Sequence, residues 1–99
     1  MRVIISGRGV VLTPEFKTLV ERKVSKLTRV LPEPPEVWLV CEAEKFRRTA
    51  RLGIRARGYT FASHATTGNL LTAVEEVVEI LWRQVREAKE RRRTRKRVA

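Results

Sequence analysis

Apolar residues recur along the chain with two different periods, and the first period predicts a helix in its N-terminal third. In residues 14–31 apolar side chains fall three or four positions apart, as they do on one face of a helix. They are Phe16, Leu19, Val20, Val24, Leu27 and Leu31. Thr13 can cap this helix through its hydroxyl, and Pro14 fits the first turn because no hydrogen bond is lost there. The proline-rich segment 32–35 ends the helix.

A second segment with helical spacing predicts a helix toward the C-terminal end. It begins near Asn69, whose side chain is a good N-cap, and its apolar stripe fades in the arginine-rich segment 91–97. The stripe consists of Leu70, Val74, Val77, Val78, Leu81, Val85 and Ala88.

Strict alternation of apolar and polar residues, the second period, predicts four strands. The β-branched segment 2–6 predicts the first strand, and segments 36–44, 51–57 and 59–65 predict the others, with a turn at 46–48. The side chains predicted to face inward are Val37, Leu39, Cys41, Ala43, Leu52, Ile54, Ala56, Phe61, Ser63 and Ala65.

The predicted order of elements is β-α-β-β-β-α, which indicates an α+β fold. Three consecutive strands at hairpin distance favour an antiparallel meander, and two helices with one apolar face each can cover only one side of it. We therefore predict a four-stranded sheet with two helices packed on one face. It forms a single domain over residues 1–93, followed by a flexible basic tail at residues 94–99.

The charge of the chain narrows the class of partner. The net charge is +11, and residues 83–99 hold nine Lys or Arg against two Glu. Like charges at this density repel one another, and binding to a polyanion relieves this repulsion. Arginine outnumbers lysine by 16 to 6, and guanidinium groups make bidentate and stacking contacts with phosphates and bases. Nucleic acid is the first partner to consider.

Basic side chains should form a patch on the helical side of the domain if the two helices lie side by side. The candidates for RNA binding are Arg22, Lys26, Arg29, Arg83, Arg86 and Lys89, supplemented by Arg91, Arg92 and Arg93. On the second helix Glu79, Glu87 and Glu90 neutralise part of this charge, whereas the first helix has fewer acidic neighbours.

The uncovered side of the sheet is a second candidate surface for RNA. Its residues are Trp38, Arg51, Arg55 and Arg57. Guanidinium groups beside an indole can hold phosphates and stack an unpaired base. Alternatively, Glu42 and Glu44 face these arginines across the strands as ordinary surface ion pairs, and this interpretation is favoured because such pairs are common.

The residue types give no support for an enzyme, and we expect no cofactor and no metal. His64 is the single histidine and has no nearby carboxylate or cysteine to orient it. The single cysteine, Cys41, excludes an internal disulfide and is predicted to lie in the core. The apolar segment 3–5 is too short for a signal peptide or a membrane span. We expect a cytoplasmic protein with no membrane partner and no small-molecule substrate.

Short sequence matches to one known family follow each other in order along residues 1–93. They are Ile5-Ser6-Gly7 with Thr13, Lys23 with Lys26-Leu27, Val40 with Glu44-Lys45, Ala62-Ser63, Ala73-Val74-Glu75, and Arg83-Gln84 with Lys89. Through their order and spacing the chain resembles the ribosome hibernation promoting factor family, which includes ribosome-associated inhibitor A and sigma-54 modulation proteins. Where that family usually has Asp-Met-Tyr or Asp-Leu-Tyr, this chain has Asn69-Leu70-Leu71.

The resemblance implies a double-stranded-RNA-binding-domain-like fold and a non-enzymatic role. The expected function is to inhibit translation under stress or in stationary phase by occupying the mRNA and tRNA channel of the small ribosomal subunit, bound to its rRNA. The basic positions retained from the family are Lys23, Lys26, Arg83 and Lys89. The length implies the short form, a monomer off the ribosome. Two alternatives stay open: a general double-stranded-RNA-binding module, and a regulator that recruits a protein through the exposed sheet.

Overall fold

The computed structural model of the chain describes the backbone of residues 2–32 and 34–98 and the side chains of residues 2–32 and 34–91. These residues form elements in the order β-α-β-β-β-α. The elements are β1 (Arg2–Arg8), α1 (Pro14–Thr28), β2 (Glu36–Glu44), β3 (Arg47–Ala56), β4 (Tyr59–Thr67) and α2 (Leu70–Val98). The predicted α+β fold with this order is confirmed.

The strands form one sheet in the order β1-β2-β3-β4. β2, β3 and β4 are an antiparallel meander, as predicted, while β1 pairs with β2 in parallel. A parallel pair cannot be joined by a tight turn, and α1 with its flanking loops provides the longer crossover that is needed. Ile4 lies opposite Trp38, and Trp38 lies opposite Gly53, so these residues share the outer face.

The core lies between the helices and one face of the sheet. Its buried members are Val20, Val24, Leu27 and Leu31 from α1 and its loop, Val37, Leu39, Cys41, Ala50, Leu52, Ile54, Ala56, Phe61 and Ala65 from the sheet, and Ala73, Val74, Val77, Leu81 and Val85 from α2. Arg51, Arg55 and His64 on the opposite face are exposed. Both helices therefore cover the same face of the sheet, as predicted.

Both helices begin at the capping residues that the sequence predicts. The Thr13 hydroxyl accepts a hydrogen bond from the amide of Phe16 at 3.1 Å, with Pro14 in the first turn. At the start of α2 the side-chain oxygen of Asn69 accepts from the amide of Thr72 at 3.2 Å. Each cap satisfies an amide that has no partner within its helix.

Several boundaries differ from the prediction, and β1, β3 and β4 are each longer than predicted. α1 ends at Thr28, although Leu31 continues its apolar spacing and is buried. Leu31 precedes Pro32, whose ring disfavours helical backbone at that position, and its amide instead closes a turn onto the carbonyl of Thr28 at 3.0 Å. The β2–β3 turn lies at Lys45 and Phe46, one residue earlier than predicted, with Lys45 at a φ of 53°.

The prediction that Arg57 lies on the outer face of the sheet is wrong. β3 ends at Ala56, and Arg57 forms the turn to β4 with Gly58, whose φ is 76°. Glycine is the residue that adopts this backbone conformation most readily, so the chain turns before the alternation of β3 reaches Arg57. The exposed side chain of Arg57 lies beyond the end of the sheet.

Burial of Cys41 should make the free energy of unfolding fall as the pH rises in the alkaline range. Burial raises the pKa of its thiol from 9.0 to about 11. The unfolded chain therefore loses this proton at lower pH than the folded chain, and the free energy of unfolding falls between these two values, by up to ~1.4 kcal/mol per pH unit. Urea unfolding from about pH 8 to about pH 11 should show a steeper loss for the wild type than for Cys41→Ala. Equal slopes for the two proteins would contradict this assignment.

Candidate nucleic-acid interface

α1 and α2 lie side by side on the sheet and run in the same direction. Lys23 Nζ of α1 is 3.9 Å from Glu75 Oε2 near the start of α2. Beyond the end of α1, the carbonyl of Val30 accepts a hydrogen bond from Lys89 Nζ at 2.6 Å. These two contacts set the register of α1 against α2. We call the side of the two helices that faces away from the sheet, with the predicted basic residues, the helical surface.

Five of the eight predicted basic side chains that the structure describes on the helices are free to bind a polyanion. Those that are exposed, and that make no ion pair with any residue in 2–32 or 34–91, are Arg22, Lys26, Arg29, Arg83 and Arg86. A guanidinium or ammonium group in water can exchange its hydration for phosphate oxygens without first breaking an internal contact. The surface therefore has the chemistry of a phosphate-binding face.

Three other predicted residues have partners within the chain. Lys23 pairs with Glu75, and Arg91 pairs with Glu87 one helical turn earlier at 3.8 Å. Lys89 binds the Val30 carbonyl, a position near a helix end where cations are favoured. Exposed ion pairs contribute little to stability, so Lys23 and Arg91 can exchange their carboxylates for phosphates at small cost.

A groove of about 380 Å³ separates the two helices. It is lined by Lys23, Lys26, Leu27, Glu75, Val78, Glu79 and Trp82. Trp82 is 37% exposed and is absent from the residues that the sequence patterns predict, because it directly follows the buried Leu81 of the core stripe. A spacing of alternately four and three residues in the sequence indicates a second stripe along this helix, beside the core stripe. Its members are Glu75, Glu79, Trp82, Arg86 and Lys89.

The outer face of the sheet carries one ion pair among the described residues. Arg51 Nε donates to Glu42 Oε1 at 2.8 Å, which is the surface ion pair that the favoured interpretation predicts. Arg55 lies opposite Glu36, and Glu44 lies opposite Arg47 instead of the predicted arginines. Glu42 thus neutralises Arg51, whereas Arg47 and Arg55 are exposed and make no ion pair within residues 2–32 and 34–91.

The Trp38 indole lies over Gly53 of the neighbouring strand on this outer face. A Cβ built on Gly53 would lie 2.1 Å from Cε2 and Cζ2 of the Trp38 indole, so the ring occupies the space directly above the glycine. The indole is half-buried against the sheet. Trp38 and Trp82 therefore stand on opposite sides of the domain, one on each candidate surface.

The single histidine and the single cysteine lie apart from each other. His64 is exposed on the outer face opposite Arg51, and Cys41 is buried. Among the described residues no group of three or more histidine, cysteine or acidic side chains could hold a metal ion. Within the same part of the chain no helix has both the length and the apolar character of a membrane span. Arg92, Arg93 and the predicted flexible tail at 94–99 lie outside the described side chains.

One protein family matches nearly the whole chain. The family described as sigma 54 modulation protein / S30EA ribosomal protein matches residues 3–93. The chain belongs to this family. The resemblance predicted from the sequence is confirmed, and the match to the S30EA family includes both helices up to Arg93.

A curated relative and two solved structures agree with this membership. The chain is 25% identical to a ribosome hibernation promoting factor from Klebsiella oxytoca over 91 residues, which are 92% of this chain and 96% of the relative. The crystal structure of the Thermus thermophilus Protein Y N-terminal domain matches with a TM-score of 0.82 at 20% identity, covering 88% of this chain and 98% of that one. The structure of a ribosomal subunit interface protein from Coxiella burnetii matches with a TM-score of 0.77 at 20% identity, covering 91% of this chain and 99% of that one. Both solved structures share the fold of this chain.

Proposed function

We propose that the protein is a translation inhibitor that binds the small ribosomal subunit through its helical surface. The observation that carries the proposal is the group of exposed, unpaired cations on α1 and α2, in a chain of the S30EA family. The related proteins are named for ribosome hibernation and for the ribosomal subunit interface, which supports a ribosomal partner. The protein acts in the cytoplasm, under stress or in stationary phase.

The mechanism we propose is steric exclusion without chemistry. The domain occupies the mRNA and tRNA channel and is held there by contacts to the phosphates of rRNA. In this proposal Arg22, Lys26 and Arg29 on α1 act together with Arg83 and Arg86 on α2, and their exposure without ion pairs supports this. Phosphate contacts position a protein on RNA without reading its sequence, so the shape of the two-helix surface selects the site.

The other basic residues have secondary roles in this proposal. Lys23 exchanges Glu75 for a phosphate, and Lys89 holds the end of α1 in place so that the cations of the two helices keep their spacing. Arg91, Arg92 and Arg93 add favourable long-range electrostatic energy. Binding should be strongly salt-dependent, because each phosphate contact releases counterions.

Steric exclusion predicts competition with the natural occupants of the channel. Small subunits that carry mRNA and P-site tRNA should bind the protein much more weakly than empty subunits, and bound protein should block tRNA. Co-sedimentation with labelled protein and labelled tRNA measures both effects. Simultaneous saturation by protein and tRNA would contradict occupation of the channel, although binding elsewhere on the subunit would then remain established.

A general RNA-binding module is the second candidate, because the same unpaired cations on two helices could bind any duplex phosphate backbone. Competition distinguishes the two candidates at a fixed salt concentration. Unlabelled small subunits should displace the protein from its complex with labelled subunits far more effectively than an equal mass of duplex RNA. Equal displacement would favour the general module.

A further inference from the structure

We propose that the groove between α1 and α2 binds one unpaired RNA nucleotide, whose base stacks on Trp82. This inference rests on the proposed function, since it assigns a specific subsite to the helical surface. It differs from the phosphate contacts described above because it involves a base and an aromatic ring. The side chains that carry it are Trp82, Lys23, Lys26 and Glu79.

The shape of the groove suits a flat ring. Its volume of about 380 Å³ lies at the lower end of small-molecule sites, which range over roughly 300–1,000 Å³. Buried Leu27 and half-buried Val78 contribute apolar surface, and Trp82 is 37% exposed beside them. An exposed indole beside lysines is the combination with which proteins hold single-stranded RNA, because every base has a face that can stack.

The charges around Trp82 orient the nucleotide. Along the stripe of α2 that faces α1, Glu75 and Glu79 precede Trp82, whereas Arg86 and Lys89 follow it. The phosphate therefore belongs near Lys26, which lines the groove, on the side toward Arg86, which follows Trp82 by four residues along α2. The base edge then points toward Glu79, whose carboxylate can only accept hydrogen bonds.

This arrangement predicts which bases bind. Adenine, cytosine and guanine carry exocyclic amino groups that can donate to the Glu79 carboxylate, whereas uracil offers only its single ring N3–H. A base inside a duplex cannot enter the groove, because its neighbours in the stack cover its faces. The preferred ligand is thus an unpaired, amino-bearing nucleotide in a loop or bulge of rRNA.

The two tryptophans allow a matched fluorescence test with short oligonucleotides. In Trp38→Phe the only tryptophan is Trp82, and in Trp82→Phe it is Trp38 on the opposite face. Single-stranded oligo(A) and oligo(C) should quench Trp82 emission, oligo(U) should quench it less, and none should quench Trp38. Glu79→Gln should reduce the difference between oligo(A) and oligo(U). Quenching of Trp38 alone, or equal quenching by a duplex of the same length, would overturn the proposal.

Binding to small subunits separates failure of this subsite from failure of the proposed function. Trp82→Ala should weaken co-sedimentation about 5- to 150-fold, the range expected for one stacked base. Leu71→Ala, at a position of α2 that is also 37% exposed, should leave it unchanged. If Trp82→Ala binds like the wild type while reversal of Arg22, Lys26 and Arg29 abolishes binding, the subsite is wrong and the proposed function stands. If both variants bind normally, the helical surface is wrong as well.

Trp82 could instead mark a contact between two copies of the chain, and this outcome is measurable. Sedimentation velocity of the wild-type protein should give a monomer at all concentrations. A dimer that Trp82→Ala dissociates would overturn the nucleotide site. Thermal unfolding followed by circular dichroism should give the same midpoint for Trp82→Ala and Leu71→Ala within a few degrees, as expected for partly exposed positions.

Discussion

Replacing Arg22, Lys26 and Arg29 together with Glu is expected to weaken binding to the small ribosomal subunit about 100- to 1,000-fold. These side chains are exposed and make no ion pair within the described residues, so their replacement leaves the fold intact. Each lost charge-assisted contact at an exposed surface costs roughly 1 to 1.5 kcal/mol, and a tenfold change in affinity is about 1.4 kcal/mol.

The matched control reverses the same amount of charge elsewhere. Arg47, Arg55 and Arg57 are also exposed, but they lie on β3 and in the turn after it, away from the helices. Reversing these three should change affinity only through the long-range field, by less than tenfold at moderate salt, because exposed charges are screened beyond about 8 Å. Co-sedimentation with purified subunits over a series of salt concentrations measures both variants.

The salt series gives a second criterion for the same prediction. The slope of log affinity against log salt should fall by roughly 0.7 to 0.9 for each lost phosphate contact. It should therefore fall by about 2 to 3 for the variant in which Arg22, Lys26 and Arg29 are replaced with Glu. If reversing Arg47, Arg55 and Arg57 weakened binding more than reversing the three α1 residues, the RNA would lie on the sheet face. Equal, small effects would favour the regulator that binds a protein through the exposed sheet.

Leu81→Ala is expected to be the most destabilising of the single changes considered, by about 2 to 5 kcal/mol. Leu81 is fully buried in the core stripe of α2, so its truncation leaves a cavity against the sheet. A domain of this length is stable by only ~5 to 15 kcal/mol, and the variant should be partly unfolded at elevated temperature.

Leu71→Ala is the control for this change, because it makes the same substitution in the same helix at an exposed position. It should change the free energy of unfolding by about 0.5 kcal/mol or less. Chemical denaturation followed by circular dichroism gives both values. If the two variants lose similar stability, α2 would not be packed on the sheet through Leu81.

The order and type of the elements are predictable from the sequence because burial on one side imposes a period on the chain. A helix repeats every 3.6 residues and a strand every two, so residues 16–27 and 37–43 could only be read as a helix and a strand. Capping also depends on local chemistry alone, and Thr13 and Asn69 lie where the helices begin. The meander gives the order of β2, β3 and β4 once the strands are known, whereas the parallel pairing of β1 with β2 does not follow from it.

The groove and its tryptophan are harder to predict, because they depend on the distance and register between two helices that are far apart in sequence. Lys23 and Glu75 are separated by 52 positions, and the Lys89 contact to Val30 by 59. Alternation alone does not show where a strand turns, so it wrongly predicts Arg57 on the sheet. The position of Arg55 opposite Glu36 depends on the β2–β3 register, which is set by the turn at Lys45 and Phe46.

The measurement that tests the account most directly is a cryo-electron microscopy map of the small ribosomal subunit with this protein bound. We expect density for the domain in the channel of mRNA and tRNA, with α1 and α2 against rRNA and the Trp82 groove beside an unpaired nucleotide. The outer face of the sheet, with Trp38 and Arg55, should point away from the helical contact. A map that shows the sheet face against rRNA, or the domain outside the channel, would contradict the account.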